Sequence, residues 1–494
     1  MSPRAREVIL ALDQGSSSSR AVLFDLKGDI VALAQRPVRT KRPKAGWAEH
    51  DPLELARTLE AAMDEALSKL GAKDKVLGAG LAVQRSTIVF CDRGSFKPAA
   101  PAPSWMDGRA AEFVAPLQDR QDEIHGLSGL YATPYYSAPK MRWFLDRERK
   151  VRALADAGRL LCAPVSTFIA ARLTKGAVVA ADPTCAQRTL LMNLDAASWD
   201  ARLLELFGIS AEILPPIRSS VGDWGVIERR GRRIPLLATV GDQQSAAIGL
   251  GASSEGEAVV NYGTGAFLLR HTGQTPERAP GLLVSCAATV GNLRGYYLEG
   301  TVHAAGTSFE WLRDNLGLMK DAKAIDEAFK RSKRRVLMLP AIGGLGAPRW
   351  DYKTKTAFFG LDSQTTSHDL VRAVAEGLCM LMADAAAVMS AAGAPVARAR
   401  VAGGLSRADA MMSFQADALG VVLERRKEIE ATALGAAVLA AKAAGVPDAD
   451  KMTDARVEKT FFPKSDETAR ARRRGEWTSF VESTQRLSRE ITLA

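Results

Sequence analysis

The stretch Leu236-Leu237-Ala238-Thr239-Val240-Gly241-Asp242-Gln243-Gln244 lies near the middle of the chain and reads as an apolar strand that ends in a glycine, an acid and two amides. A small-residue helix pattern, Ser245 to Gly249, follows at once. A carboxylate there stands at a strand's carboxyl end, where open α/β sheets gather their chemistry. The same Asp242 can instead be the N-cap of the helix, because an aspartate side chain accepts from backbone N–H groups left free at a helix start. Which role dominates depends on what the rest of the chain brings to that strand end.

The chain has 494 residues, too many for one core, and suggests two or three domains. With 47% hydrophobic and 25% charged residues it has ordinary globular composition. No apolar run of membrane-span length is expected, and Met1 to Arg6 lacks the apolar core of a signal peptide. A cytoplasmic location without membrane insertion is the expectation. Cys91, Cys162, Cys185, Cys286 and Cys379 lack the paired spacing of a metal site or disulfide framework and read as packed, reduced thiols. The net charge of +10 concentrates in Arg229, Arg230, Arg232 and Arg233, and in Arg470, Arg472, Arg473 and Arg474. Neither cluster carries interleaved aromatics or a nucleic-acid module, so both read as solvated faces and no nucleic-acid partner is expected. A basic cleft would also suit anionic substrates such as nucleotide phosphates.

At the start, Val8 to Leu12 and Ala21 to Asp25 flank Asp13-Gln14-Gly15-Ser16-Ser17-Ser18-Ser19-Arg20, which reads as a β-hairpin with a small polar tip. Backbone N–H groups and serine hydroxyls in such a tip can surround a phosphate, since nothing bulky blocks close approach. A plain turn would need neither Asp13 nor Arg20. Asp51 and Pro52 mark the start of a helix that stops at Gly71. The strand Val76 to Val83 then delivers Gln84, Arg85 and Ser86. Trp105 and Tyr135 supply aromatic faces beside polar side chains, although a lone aromatic is ordinarily core. Asn261-Tyr262-Gly263-Thr264-Gly265-Ala266-Phe267 repeats the opening hairpin, and two copies half a chain apart suggest two like domains, residues 1–250 and 251–494. A long helix spans about His368 to Ala392, and Ala399 to Val401 runs as a strand into Gly403-Gly404.

The order of these motifs resembles the FGGY family of carbohydrate kinases, its glycerol kinase branch most closely. The resemblance rests on Asp13-Gln14-Gly15 with Arg20, Gln84-Arg85, Tyr135 to Phe144 with Lys140, Gly241-Asp242-Gln243-Gln244, Tyr262-Gly263-Thr264-Gly265, Gly344 to Pro348, Gly403-Gly404 and Thr432 to Ala437. It implies an α/β fold of two actin-like, ribonuclease H-like domains flanking a nucleotide and sugar cleft, with ATP and Mg2+ as cofactors. It further implies that Asp242 accepts the proton of the attacking hydroxyl and that Asp13, with Asp242, holds Mg2+. Arg85, Ser86, Trp105, Tyr135, Asp242, Gln243 and Phe267 would line the acceptor pocket. Ser16, Ser17, Ser18, Arg20, Gly263, Thr264, Gly265, Gly306, Glu310, Gly403 and Gly404 would handle ATP and its phosphates. The expected partners are a small polyol or sugar and ATP, in a homo-oligomer, dimer or tetramer.

Some positions depart from the branch. Glycerol kinases follow the pocket arginine with a glutamate, and here that position is Ser86, which leaves room for a longer polyol. Trp105-x-Asp107-x-Arg109 is closer to the pattern of pentulose kinases. Ala402, Ala408 and Glu310 alter positions expected near the nucleotide. The leading expectation is phosphorylation of glycerol to glycerol 3-phosphate, with a pentulose (xylulose or ribulose) or a tetritol as alternative acceptors. An actin-like nucleotide-binding protein without sugar kinase activity is the alternative of another class.

Overall fold

A computed structural model describes residues 5–427, 430–454 and 457–491. The chain forms two compact α/β units: residues 5–251 with 285–296 and 430–454, and residues 252–284 with 297–427 and 457–491.

The first unit is built on a six-stranded sheet. Its strands run in the spatial order Val226–Arg229, Arg232–Gly241, Lys75–Val83, Glu7–Gln14, Ser18–Asp25 and Ile30–Pro37. The last three form an antiparallel meander, whereas Lys75–Val83 and Arg232–Gly241 add in parallel beside Glu7–Gln14. Alternation along Glu7–Gln14 divides the core between two faces. Val8, Leu10 and Leu12 pack with Leu55, Leu59 and Met63 of the helix Pro52–Ser68. Ile9 and Ala11 point the other way, onto Ala433, Ala436 and Ala440 of the helix Ala431–Ala443. The helix Pro52–Ser68 starts as its sequence requires, with Asp51 accepting from the Leu53 N–H at 2.9 Å.

The helix that begins at Asp242 is fixed by close backbone approach. A Cβ on Gly435 would stand 1.8 Å from the Ser245 carbonyl oxygen, so no other residue fits there without moving a helix. The Ser245 hydroxyl donates across the same contact to the Thr432 carbonyl at 2.6 Å. This helix pair sets where Asp242 leaves the sheet.

The second unit repeats the plan. Its seven-stranded sheet runs Leu283–Cys286, Tyr296–Val302, Ala266–His271, Glu257–Tyr262, Arg398–Gly403, Val422–Arg426 and Val457–Phe461. Again a central hairpin carries an antiparallel strand on one side and two parallel strands on the other.

The helix Ser367–Ala391 corrects one expectation from the sequence, since by length and composition it is apolar enough to cross a membrane. Its apolar residues are core: Met382 and Met389 are fully buried, and 78% of its apolar window is covered by the protein. The cysteines are free and buried, as expected. Part of the first arginine cluster is structural, because Arg229 pairs with Asp64 at 2.8 Å and Arg232 donates to the Asp74 carbonyl at 2.6 Å.

Candidate functional site

In the first unit, Arg232–Gly241 ends at Gly241, and Asp242 is the first residue of the helix Asp242–Gly249. Gly241, not Asp242, takes the N-cap position, but the Asp242 carboxylate still accepts from the Gln243 N–H at 2.8 Å. The carboxylate thus serves the helix start from the first helical residue and remains half-exposed. Arg85, delivered by the neighbouring parallel strand, stands 3.6 Å from Asp242 Oδ1 and also donates to the Gln243 side chain. Its positive charge holds the carboxylate in orientation.

The first hairpin presents Gly15, Ser16 and Ser17 at its tip, while Ser18 lies buried within the strand Ser18–Asp25. Gln84, fully buried and read in the sequence only as part of the Gln84-Arg85 motif, ties this tip to the loop that follows Val83. Its side chain donates to the Gly15 carbonyl at 3.2 Å and accepts from the Ser16 hydroxyl at 3.3 Å and the Thr87 hydroxyl at 2.9 Å. Trp105 completes the link by donating from Nε1 to Ser16 Oγ at 2.7 Å. Trp105 and Tyr135 are 43% and 48% exposed, so both offer ring surface to a ligand instead of filling core.

Lys140 organises the loops around these aromatics. It is 0% exposed, and its ammonium donates to the carbonyls of Ser86 at 2.9 Å, Ser104 at 2.8 Å and Tyr135 at 2.7 Å. Burial pushes the group down to about 7, with Asp107 pulling it up and Arg109 pushing it down. Three donors require the charged form, because a neutral amine has only two N–H bonds. Ser86 itself is held at φ 61, in the left-handed region.

Asp107, part of the pattern closer to pentulose kinases, is a structural residue. It is fully buried, accepts from the Ala48 N–H at 2.7 Å and pairs with Arg109, whose guanidinium stacks 3.7 Å from the Trp47 ring centroid. This clamp shapes the Lys44 to Glu49 loop.

Asp13 is 3% exposed, and burial raises its carboxyl to about 7. Arg20, donating at 3.0 Å, opposes that rise, whereas the charges of Asp242 and Glu430 add to it. An aspartate with a folded value above its unfolded value of about 4 contributes stability that is fully present below that lower value and lost as pH rises through the folded one. The ligand-free protein should therefore lose melting temperature between about pH 4 and about pH 7 more steeply than Asp13→Asn does. Equal slopes in a thermal melt series would contradict this.

In the second unit, the turn Gly263 to Gly265 is braced by the next helix, with the Gly306 N–H donating to the Gly263 carbonyl at 3.0 Å and the Thr307 N–H to the Thr264 carbonyl at 3.3 Å. Gly403, at φ 89, lies against Tyr262 so closely that a Cβ would stand 2.1 Å from its carbonyl oxygen. A cavity of about 290 Å³ opens here, and Gly263, Thr264, Gly306, Glu310 and Gly404 line it together with Arg313, which the sequence did not single out. Exposed backbone, glycines and one arginine suit a phosphorylated ligand. Gly265 and Gly403 flank the cavity, Ala408 is buried at the start of the following helix, and Phe267 lies half-buried on the strand Ala266–His271 of this unit.

Two sheets, each with an antiparallel meander extended by parallel strands, define the actin-like, ribonuclease H-like class of two-domain α/β proteins. Residues 8–249 match the N-terminal domain of the FGGY family of carbohydrate kinases, and residues 258–444 match its C-terminal domain. The chain belongs to the FGGY family of carbohydrate kinases. It is 37% identical over 499 residues to glycerol kinase of Haemophilus influenzae (strain PittEE), covering 98% of this chain and 99% of that one. Glycerol kinase of Polaromonas naphthalenivorans is 38% identical over 492 residues, covering 96% and 99%. The crystal structure of Plasmodium falciparum glycerol kinase with ADP superposes with a TM-score of 0.92 at 30% identity, covering 99% of each chain.

Proposed function

We propose that the protein is an ATP-dependent kinase that phosphorylates glycerol to glycerol 3-phosphate. The observation that carries this reading is the 37% identity to a glycerol kinase across nearly the whole of both chains. The acceptor side then belongs to the first unit, residues 1–250 in the main, with the polyol among Arg85, Ser86, Trp105, Tyr135 and Gln243. Phe267 is included in that pocket on the family resemblance alone. The nucleotide belongs chiefly to the second unit, where Gly263, Thr264, Gly306, Glu310 and Gly404 share one cavity. Ser16, Ser17, Ser18 and Arg20 of the first hairpin complete the set assigned to phosphate, although burial leaves Ser18 to act through its backbone position.

Asp242 takes the proton of the acceptor hydroxyl as its oxygen bonds to the terminal phosphorus and the bridging oxygen departs with ADP. Arg85 keeps the carboxylate aimed. The transferring group needs positioning and charge neutralisation more than covalent help, which suits a site made of glycine turns and fixed charges. Asp13 and Asp242 fit Mg2+, because a buried acid raised by its neighbour's charge is relieved by a divalent cation. Bound there with the nucleotide, the ion would neutralise phosphate charge.

The pentulose and tetritol alternatives are not favoured. Xylulose kinase structures resemble this chain at 21–24% identity and speak for the fold alone. Asp107, the residue that pointed toward pentuloses, is spent on the Ala48 loop. Ser86 still removes an acidic acceptor of hydroxyl hydrogen bonds. A bond to a charged group contributes about 1.5–3 kcal/mol, so Ser86→Glu should raise kcat/KM for glycerol relative to a pentulose by roughly tenfold. An unchanged ratio in parallel kinetics would remove Ser86 from substrate choice.

Incubation with ATP and glycerol, followed by phosphorus NMR, tests the reaction itself. A new phosphomonoester is expected; inorganic phosphate alone would favour an actin-like nucleotide hydrolase. The proposal extends to a cytoplasmic homo-oligomer, dimer or tetramer, as the family resemblance implies, which native mass measurement and cell fractionation read directly.

A further inference from the structure

Two basic stretches that phosphoryl transfer does not use, Arg331 to Arg335 and Arg470 to Arg474, meet in the second unit. Lys333, Arg334, Arg335, Arg472 and Arg473 line a single cavity of about 400 Å³, to which Arg372 adds a sixth cation. Read as sequence, the Arg470 cluster looked like a solvated helix face. In the fold, Arg472 stays exposed at the cavity and Arg473 is partly covered.

The cavity's three acids are already engaged. Asp369 accepts from the Ser332 hydroxyl at 2.8 Å and from the N–H groups of Lys333 and Arg334 at 2.9 Å each. Glu376 pairs with Arg372 at 2.7 Å, and Glu476 pairs with Arg335. Arg334 is 3.6 Å from Asp362, outside the cavity. Among the described residues, Lys333 and Arg472 enter no ion pair, and Glu476 is the acid whose charge also acts on Arg472 and Arg473. Arg473 Nη1 is buried without a hydrogen-bond acceptor, the nearby Asp417 carboxylate oxygen standing 4.0 Å away.

Beneath the cations the lining is apolar, with Val336, Met338, Met380 and Trp477 all buried. The volume falls within the range of small-molecule sites. We propose that this cavity binds a phosphorylated small molecule, its phosphate held by Lys333, Arg472 and Arg473 and its body packed against the apolar lining. Arginine forks match phosphate geometry, and three cations without full partners exceed what one carboxylate would neutralise.

The test is isothermal titration of the full-length protein with inorganic pyrophosphate, with and without saturating ADP. Binding that persists with ADP is expected, and Lys333→Glu with Arg472→Glu should weaken it roughly tenfold or more, with melting temperature and kinase activity unchanged. Both side chains are exposed, so neither substitution threatens the fold. Pyrophosphate binding that vanishes with ADP, or that ignores both substitutions, would overturn the proposal. So would a single-stranded RNA that binds through Lys333 and Arg472 and is not displaced by pyrophosphate.

Discussion

Asp242→Asn is expected to lose kcat by about 10²- to 10⁴-fold, or roughly 3 to 5 kcal/mol of barrier, the usual contribution of general-base assistance. Asparagine keeps the shape of the side chain and an oxygen to accept from the Gln243 N–H, so the helix start survives the change. What disappears is the capacity to take a proton and the charge that faces Arg85. ATP affinity should stay within about twofold, because the cavity proposed for the nucleotide belongs to the second unit. Stopped-flow kinetics with a binding titration separates the two effects. A variant with near-normal kcat would remove Asp242 from proton transfer, and one that fails to bind ATP would make its role structural.

Lys140→Met should act on the acceptor and on stability together. The substitution orphans the carbonyls of Ser86, Ser104 and Tyr135, each on a loop that shapes the acceptor side. An unsatisfied buried acceptor costs about 1–3 kcal/mol, and the relief of desolvating the ammonium offsets part of the sum. A net loss of about 3 kcal/mol in denaturant unfolding is expected, with acceptor KM raised at least about tenfold. The KM for ATP should change by less than about twofold. Equal rises in both constants would mean that Lys140 supports the whole protein and has no particular hold on the acceptor loops.

Much of this site could be read from sequence because its signals are local. Asp242 follows a strand and a glycine, and the hairpins around Ser16 and Thr264 announce themselves by glycines and small polar residues between apolar runs. Lys140 gave no such signal as a buried tether. A lysine in the first turn of a helix reads as solvated, and its three partners are backbone carbonyls on separate loops, which leave no mark in side-chain patterns. Gln84 was visible only as part of a motif for a similar reason, since its partners lie 68 and 69 positions away. Asp107 shows a different limit: its spacing to Trp105 and Arg109 is closer to the pattern of pentulose kinases, whereas its burial beside Arg109 makes it a clamp. For the Arg470 cluster, charge runs carry no direction, and only the helix Glu467–Glu490 and the loop from Ser332 to Arg335 decide which arginines line a cavity.

In the sequence, Asp369, Arg372, Glu376 and Asp384 interrupt the apolar length of Ser367–Ala391. Spread around a helix, those charges leave enough apolar surface to fill a core, and the first three lie toward its amino-terminal half, clear of the most buried methionines.

ADP release measured against a panel of glycerol, erythritol, xylulose and ribulose tests the central claim most directly. Glycerol is expected to stimulate release and to give the highest kcat/KM of the four. Stimulation by none of them, or a higher kcat/KM for a pentulose or tetritol than for glycerol, would contradict the assignment.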